Sequence, residues 1–338
     1  MKLLVIGGGK FVGRAVVESA IENGHIVTVF NRGKTSGEVP SGVEWIRGDR
    51  DRELSLLLGR RWDAVIDTCA YFPRQVETLL RILKGNIGHY LLVSSVSVYA
   101  DMSEPGLKED SPLLPGIGGA AEAVTAETYG PFKVMCEQAA LENGPSSTLI
   151  VRPGIIVGPH DPTGRFSYWV QRISEGGEVL APGRPDAPLQ VIDVRDLGEW
   201  MVAMADEKVS GKFNAVGPQV PLTWREMFEA ATSVLGNKTR FTWVHDDQLA
   251  DKKVGDWTQL PLYFPADNLK FRGMFRVDGT AAFARGLKLR PLAETIADNA
   301  RWLLGPSTGD AKVVGLAREQ EKKLLDEWRV RTGERSGT

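Results

Sequence analysis

Three groups of residues in this chain have types and spacings that could do chemistry. Tyr129 and Lys133 stand four apart in Tyr129-Gly-Pro-Phe-Lys133, so on a helix they share one face. A phenol beside an ammonium ionises more easily, because the cation favours the phenolate. Hydride transfer to a carbonyl needs such a group to exchange a proton with the oxygen. The same lysine can hold a nicotinamide ribose. The run Ser94-Ser95-Val96-Ser97-Val98-Tyr99 follows an apolar segment, and the Ser95 hydroxyl can polarise a substrate oxygen there. Residues 7–13 read Gly7-Gly-Gly9-Lys10-Phe11-Val12-Gly13, between an apolar run and a helical pattern. In that context the turn is tight, its backbone touches a pyrophosphate, and the helix N-terminus presents free N–H groups to the anion.

The second apolar run ends at Asn31-Arg32-Gly-Lys34. A carboxylate at this place would bind the ribose 2′-hydroxyl of NAD. The chain has Asn31, with Arg32 and Lys34 beside it, and a guanidinium suits a phosphate. NADP(H) is therefore expected over NAD(H). Asp49, with Arg50 next to it, is expected at the adenine end of the cofactor. There Asp49 either accepts from the adenine amino group or caps a helix.

These groups need a frame to position them. Apolar runs at Leu3–Ile6, Ile26–Phe30, Val43–Arg47, Ala64–Asp67, Tyr90–Ser94 and Thr148–Arg152 read as strands. Helical periodicity lies between them at Phe11–Asn23, 53–58, 74–84 and 129–143. Alternating strands and helices imply an α/β fold, a doubly wound Rossmann-type parallel sheet with helices on both faces. After Arg152 the texture changes to Pro, Gly and Trp, and residues 155–190 read as loop-rich. Glu104–Glu122 reads as a long loop. Leu316–Trp328 reads as a charged amphipathic helix with Leu324, Leu325 and Trp328 on one side. The expected division is 1–155 for the cofactor, 156–305 for a smaller α/β substrate lobe whose chain returns in part to the sheet, and 306–338 as a helical extension.

Composition narrows the function classes. Of 338 residues, 42% are hydrophobic and 25% charged, enough for a large core. The net charge of −2 gives no global case for nucleic-acid binding. No apolar run approaches the ~20 residues of a membrane helix. Two cysteines build no disulfide framework, and four scattered histidines give no metal motif, so no metal is expected. The first residues read as a strand rather than a signal peptide, and a cytoplasmic protein is expected.

Taken with Gly48-Asp49, the Val65–Ala70 strand, Arg152-Pro153 and Val191–Asp196, these motifs resemble the extended short-chain dehydrogenase/reductase superfamily over most of residues 1–305. The superfamily includes nucleotide-sugar epimerases and dehydratases. The resemblance implies a seven-stranded sheet and catalytic roles for Ser95, Tyr129 and Lys133. It implies Ser97 as a neighbour of the active hydroxyl, Cys69 and Ala70 beside the cofactor, and Pro153 near the nicotinamide amide. A homodimer is common among such relatives. Three departures stand out. Lys10 replaces the middle glycine of the family turn, where it either meets a phosphate or stays exposed. No Asp-Glu pair follows Ser95, which speaks against sugar dehydration. Arg152-Pro153-Gly154-Ile155 replaces the Phe-Asn of many UDP-sugar epimerases.

The expected activity is oxidoreduction of a secondary alcohol or ketone on a small polar, sugar-like or natural-product substrate. The alternatives are an epimerase that retains its cofactor, and an RNA-binding or cofactor-sensing relative. Some chloroplast members of the superfamily bind RNA. Substrate contacts are expected from His160 and Arg165 in the 158–169 loop, from Ser97, and from Trp257 in a candidate lid at Asp256–Pro265.

Overall fold

A computed structural model of the chain describes residues 1–34, 40–118, 123–305 and 314–333. It divides into two compact units. The first comprises Met1–Ile156, Val191–Gln219 and Val277–Leu289, and the second Val157–Gln190, Val220–Arg276 and Arg290–Thr338. The chain thus returns twice to the first unit. The C-terminal helix belongs to the second unit and is not a separate extension.

The first unit is built on β1 (Lys2–Ile6), α1 (Phe11–Glu22), β2 (Ile26–Asn31), β3 (Glu44–Arg47), β4 (Trp62–Asp67), α2 (Pro73–Leu83), β5 (Ile87–Val93), α3 (Ala126–Asn143) and β6 (Thr148–Pro153). A seventh strand, Gly211–Ala215, pairs with β6. The sheet order from one edge is β3-β2-β1-β4-β5-β6 and then this strand, with every pair parallel. The residues expected to be helical at 53–58 form only a short 3₁₀ turn, Leu54–Leu57.

The strands read as continuously apolar because both faces are covered. Alternate side chains point opposite ways. Leu3 and Val5 join Ile66, Leu91, Val93, Leu149 and Val151 on the face that α1 and the helix Val194–Asp206 cover. Leu4, Ile6, Val65, Tyr90, Leu92 and Ile150 form the other face with α2 and α3. Strand order reverses between β1 and β4, so the C-terminal ends of these strands border the crevice where such sheets bind ligands.

The second unit holds the helices Arg165–Ser174, Trp224–Leu235, Leu292–Leu304 and Arg318–Thr332. Gly177–Pro182 pairs in parallel with Thr239–Val244. The 155–190 stretch is therefore more regular than its Pro and Gly content suggested. Trp169, Trp224 and Phe228 pack within 5.2–5.4 Å of one another, so Trp224 is core. The C-terminal helix is held by a buried ion pair, with Arg172 Nε 2.6 Å from Glu321. Its Leu324 and Leu325 are buried, and Trp328 packs on the His245 ring at 5.2 Å.

Candidate active site

The glycine turn follows β1. Gly7 and Gly8 have φ of +111° and +69°, a region that side chains rarely adopt. A Cβ on Gly13 would stand 2.5 Å from the Gly8 nitrogen, so the helix start and the turn can approach only as glycines. Thr68, just past β4, packs against both Gly7 and Gly13 and donates to the Ile6 carbonyl at 2.9 Å. Gly9 is half-buried and Lys10 exposed. Phe11 carries a positive φ of 41°, and Val12 packs on the core beneath. This crowded cradle leaves backbone N–H groups at the mouth of α1 and has room for nothing larger than hydrogen on its inner side. It fits a dinucleotide pyrophosphate.

At the end of β2, the Asn31 side chain is committed inward. Its Nδ2 donates to the Gly7 carbonyl at 2.7 Å, and its Oδ1 accepts from Gly33 N at 2.9 Å and Trp45 Nε1 at 3.1 Å. Asn31 therefore ties the glycine turn to β2 and β3. The exposed groups around it are Arg32, Lys34 and Arg47. Arg47 Nε donates to the Arg32 carbonyl at 3.3 Å. The sequence reading did not select Arg47, which comes alongside Asn31 only through the β2–β3 register.

Asp49 accepts from Asp51 N at 2.9 Å, the local capping geometry. Arg50 points inward. Its two terminal nitrogens lie 2.8 and 2.9 Å from the Asp67 carboxylate, and one also meets Cys69 Sγ at 3.4 Å. The guanidinium thus serves as a buried pair under β4, and its Nε has no hydrogen-bond partner. Tyr90 adds a hydroxyl to Asp67 at 3.1 Å. Cys69 lies beside Gly7, and burial pushes its thiol up.

Lys133 is sealed. Its Nζ donates to the Ala70 carbonyl at 2.8 Å and the Val93 carbonyl at 2.9 Å, which uses two of its three N–H bonds. Burial pulls its pKa below the ordinary lysine value. Tyr129 sits one turn earlier on α3, its ring centroid 5.8 Å from Nζ. Thr125 caps this helix by accepting from Glu127 N and Thr128 N. Gly130 packs so tightly on the Ser97 carbonyl that a Cβ would collide with it, bringing Tyr129 to the serine turn. In that turn Ser95 Oγ accepts from Ser97 N at 3.1 Å and donates to Ser97 Oγ at 3.0 Å. Both serines are half-buried, and Pro153 is buried at the end of β6.

Sequence reasoning missed a buried network beside these groups. Ser94 Oγ donates to Glu137 at 2.6 Å, and Arg152 clamps Glu137 through Nε at 2.9 Å and Nη2 at 2.7 Å. Arg152 also donates to the Tyr99 hydroxyl at 3.1 Å, and Tyr99 donates to Asn214 at 2.6 Å. Burial opposes the Arg152 charge, yet Glu137 holds its pKa above the usual value. The network joins the residue before Ser95, the helix of Tyr129 and Lys133, and the residue before Pro153. Its only sequence signal is an ionisable residue in the apolar run 148–152. Tyr71 was also missed: its ring centroid is 5.2 Å from Lys133 Nζ.

In the second unit, Arg165 lies over the Trp257 ring at 4.7 Å, and His160 packs on Trp302 at 5.3 Å. Trp257 stacks on Phe264 at 4.8 Å. A separate cavity of about 170 Å³ is walled by Trp224, Tyr263, Phe271 and Phe275 and rimmed by Arg184 and Arg276. Among the described residues no cluster of His, Cys, Asp and Glu could hold a metal ion, and no helix is long and apolar enough to cross a membrane.

Known proteins resemble this chain in family and in fold. The model of the NAD dependent epimerase/dehydratase family matches residues 3–216. A 2′-dehydrokanamycin reductase of Streptomyces kanamyceticus is 26% identical, over 70% of this chain and 67% of that protein. The chloroplast stem-loop binding protein of 41 kDa b of Arabidopsis thaliana is 27% identical, over 64% of this chain and 58% of its own length. A UDP-glucuronic acid 4-epimerase of Bacillus cereus, solved with NAD, superposes with a TM-score of 0.65 at 17% identity, covering 92% of this chain and 99% of that one.

Proposed function

The chain belongs to the NAD dependent epimerase/dehydratase family, within the extended short-chain dehydrogenase/reductases, and from that premise we propose that it is an NADP(H)-preferring reductase of a small polar ketone. Its broader class, an NAD(P)-dependent oxidoreductase or epimerase, follows from the family and its relatives. The observation that carries the cofactor preference is Asn31. Both ends of its amide are used within the protein, and among the described residues no carboxylate stands at the end of β2, whereas Arg32, Lys34 and Arg47 lie around it. A 2′-phosphate is favoured there over a 2′-hydroxyl.

When bound, the nicotinamide supplies or accepts the hydride. The protein's part is to manage the oxygen. The Tyr129 hydroxyl gives its proton to the substrate oxygen in reduction and takes it back in oxidation. Lys133, fixed by two carbonyls, places a positive charge behind that phenol and favours its ionised form. Ser97 receives the Ser95 hydrogen, so its own hydroxyl is left to donate to the substrate oxygen, or Ser95 rotates to do so. The Gly7–Gly13 backbone holds the pyrophosphate, with Cys69, Ala70 and Pro153 along the cofactor. Asp49 lies towards the adenine. Ser97 is the substrate-side candidate beside Ser95 in the first unit; within the second unit, His160, Arg165 and Trp257 are the candidates, and its arginine-rimmed aromatic cavity suits a flat or polar group.

Cofactor affinities test this reading. Quenching of protein fluorescence should give a Kd for NADPH at least ~10-fold below that for NADH, about 1.4 kcal/mol. Arg32→Ala should shrink that ratio towards one. Equal affinities in the parent chain would remove the NADP argument. A cofactor that copurifies and does not exchange would favour the epimerase reading, in which the same phenol serves hydride removal and return. Salt-sensitive RNA binding without turnover would favour the chloroplast relative's class.

A further inference from the structure

One buried ammonium faces two phenols. Lys133 Nζ lies 5.2 Å from the Tyr71 ring centroid and 5.8 Å from that of Tyr129, and the two rings are 6.4 Å apart at 49°. Lys133 itself is 3% exposed, whereas Tyr71 is 43% exposed and Tyr129 half-buried. Tyr71 is held in this place from both sides of the chain. The carbonyl of the preceding residue, Ala70, accepts from Lys133, and Tyr71 N donates to Gln75 Oε1 at 3.0 Å at the start of α2.

We propose that Tyr71 is a second proton-carrying phenol of this site, coupled to Tyr129 through the single Lys133 cation. The proposal rests on the assignment of Tyr129 as the proton donor under the proposed function. One positive charge can balance one phenolate. When Tyr129 gives its O–H proton to an oxygen and keeps the electron pair, Lys133 offsets the negative charge, and Tyr71 is then disfavoured from ionising. When Tyr71 is ionised, Tyr129 keeps its proton. The pair therefore loses its protons in two steps that belong to the pair rather than to either residue. The more open phenol, Tyr71, is the one that exchanges protons directly with water.

The groups facing Tyr71 act in both directions, and the net effect, led by burial, is upward. Burial raises its pKa, Lys133 and Arg50 lower it, and Tyr129 and Cys69 raise it. The other four tyrosines, Tyr90, Tyr99, Tyr168 and Tyr263, are all pushed upward by burial. Tyr71 and Tyr129 are distinguished by geometry: their rings flank the same lysine ammonium.

The test is an absorbance titration at 295 nm of the full chain and its Tyr71→Phe, Tyr129→Phe and doubly substituted variants, with circular dichroism to verify the fold. The parent should lose two protons in two separate one-tyrosine steps. Each single variant should lose one step, and its remaining step should begin at lower pH than the parent's later step. The double variant should lose both. If Tyr129→Phe removes a step but the Tyr71 step stays where it was, the phenols are independent and the coupling is wrong, while the role of Tyr129 stands. If Tyr129→Phe removes neither step, the assignment of Tyr129 as the cation-activated phenol falls, and the coupling with it.

Discussion

Glu137→Leu is the substitution whose effect the structure defines most sharply. Glu137 and Arg152 have side chains that are 3% and 0% exposed, and two N–H bonds join them at 2.7 and 2.9 Å. Removing the carboxylate leaves a guanidinium buried without that countercharge, which costs about 3–5 kcal/mol. Ser94 Oγ loses its 2.6 Å acceptor as well, roughly 1 kcal/mol more. Adding Arg152→Met removes the stranded charge. The remaining loss is the acceptor of Ser94 and the bonds to Tyr99 and the Glu109 carbonyl, and Tyr99 still donates to Asn214. The double variant should therefore be more stable than Glu137→Leu alone, by about 2 kcal/mol or more. Urea unfolding followed by far-ultraviolet circular dichroism, run as a double-mutant cycle, measures this. A Glu137→Leu cost below about 1 kcal/mol, or additive single effects, would refute the assignment of a desolvated ion pair.

Other expectations follow from single contacts. Gly13→Ala gains helix propensity but drives a Cβ to 2.5 Å from the Gly8 nitrogen. Overpacking of about 1–3 kcal/mol should dominate, and calorimetry should show weakened NADPH binding with a lower Tm; unchanged affinity would place the pyrophosphate elsewhere. His89 is buried, with Nδ1 2.8 Å from Ser147 Oγ, and Ser147 donates onward to the Lys208 carbonyl. Nδ1 therefore carries the hydrogen, and burial, the main cause, lowers the His89 pKa to about 4. The unfolded chain takes up this proton near pH 6.5 while the folded chain resists, so stability present above pH 6.5 is lost as pH falls towards 4. Denaturation at pH 7.5 and 4.5 should show a loss that His89→Leu reduces; an identical loss in the variant would exonerate this residue. Glu321→Gln should loosen the C-terminal helix by weakening its bond to Arg172, read as faster proteolysis after Arg318, and an unchanged cleavage rate would argue against that anchor.

Much of the first unit was legible because local pattern and buried parallel strands coincide. The runs at Leu3–Ile6 and Ala64–Asp67 are apolar for the same reason that they are central. The glycine turn was legible because its neighbours in sequence are also its neighbours in space. The seventh strand, Gly211–Ala215, was not selected, since Lys212 and Asn214 break an apolar run and only β6 makes it a strand. Arg50 read as a cofactor contact because a surface arginine after a strand faces outward unless a distant carboxylate takes it inward, and Asp67 does so from 17 residues away. Asn31 likewise gave no hint that Trp45 would occupy its oxygen. Tyr71 carried no motif spacing, because its relation to Lys133 spans two elements of the sheet's crevice.

The central claim is that Tyr129 exchanges the proton that accompanies hydride transfer. Its most direct test is transfer of deuterium from 4-deuterated NADPH to the carbinol carbon of products from a panel of hydroxyketones, measured by mass spectrometry for the parent chain and for Tyr129→Phe. The account predicts label transfer that falls roughly 100-fold or more in the variant, with NADPH affinity unchanged. Label transfer at the parent rate in Tyr129→Phe would contradict it.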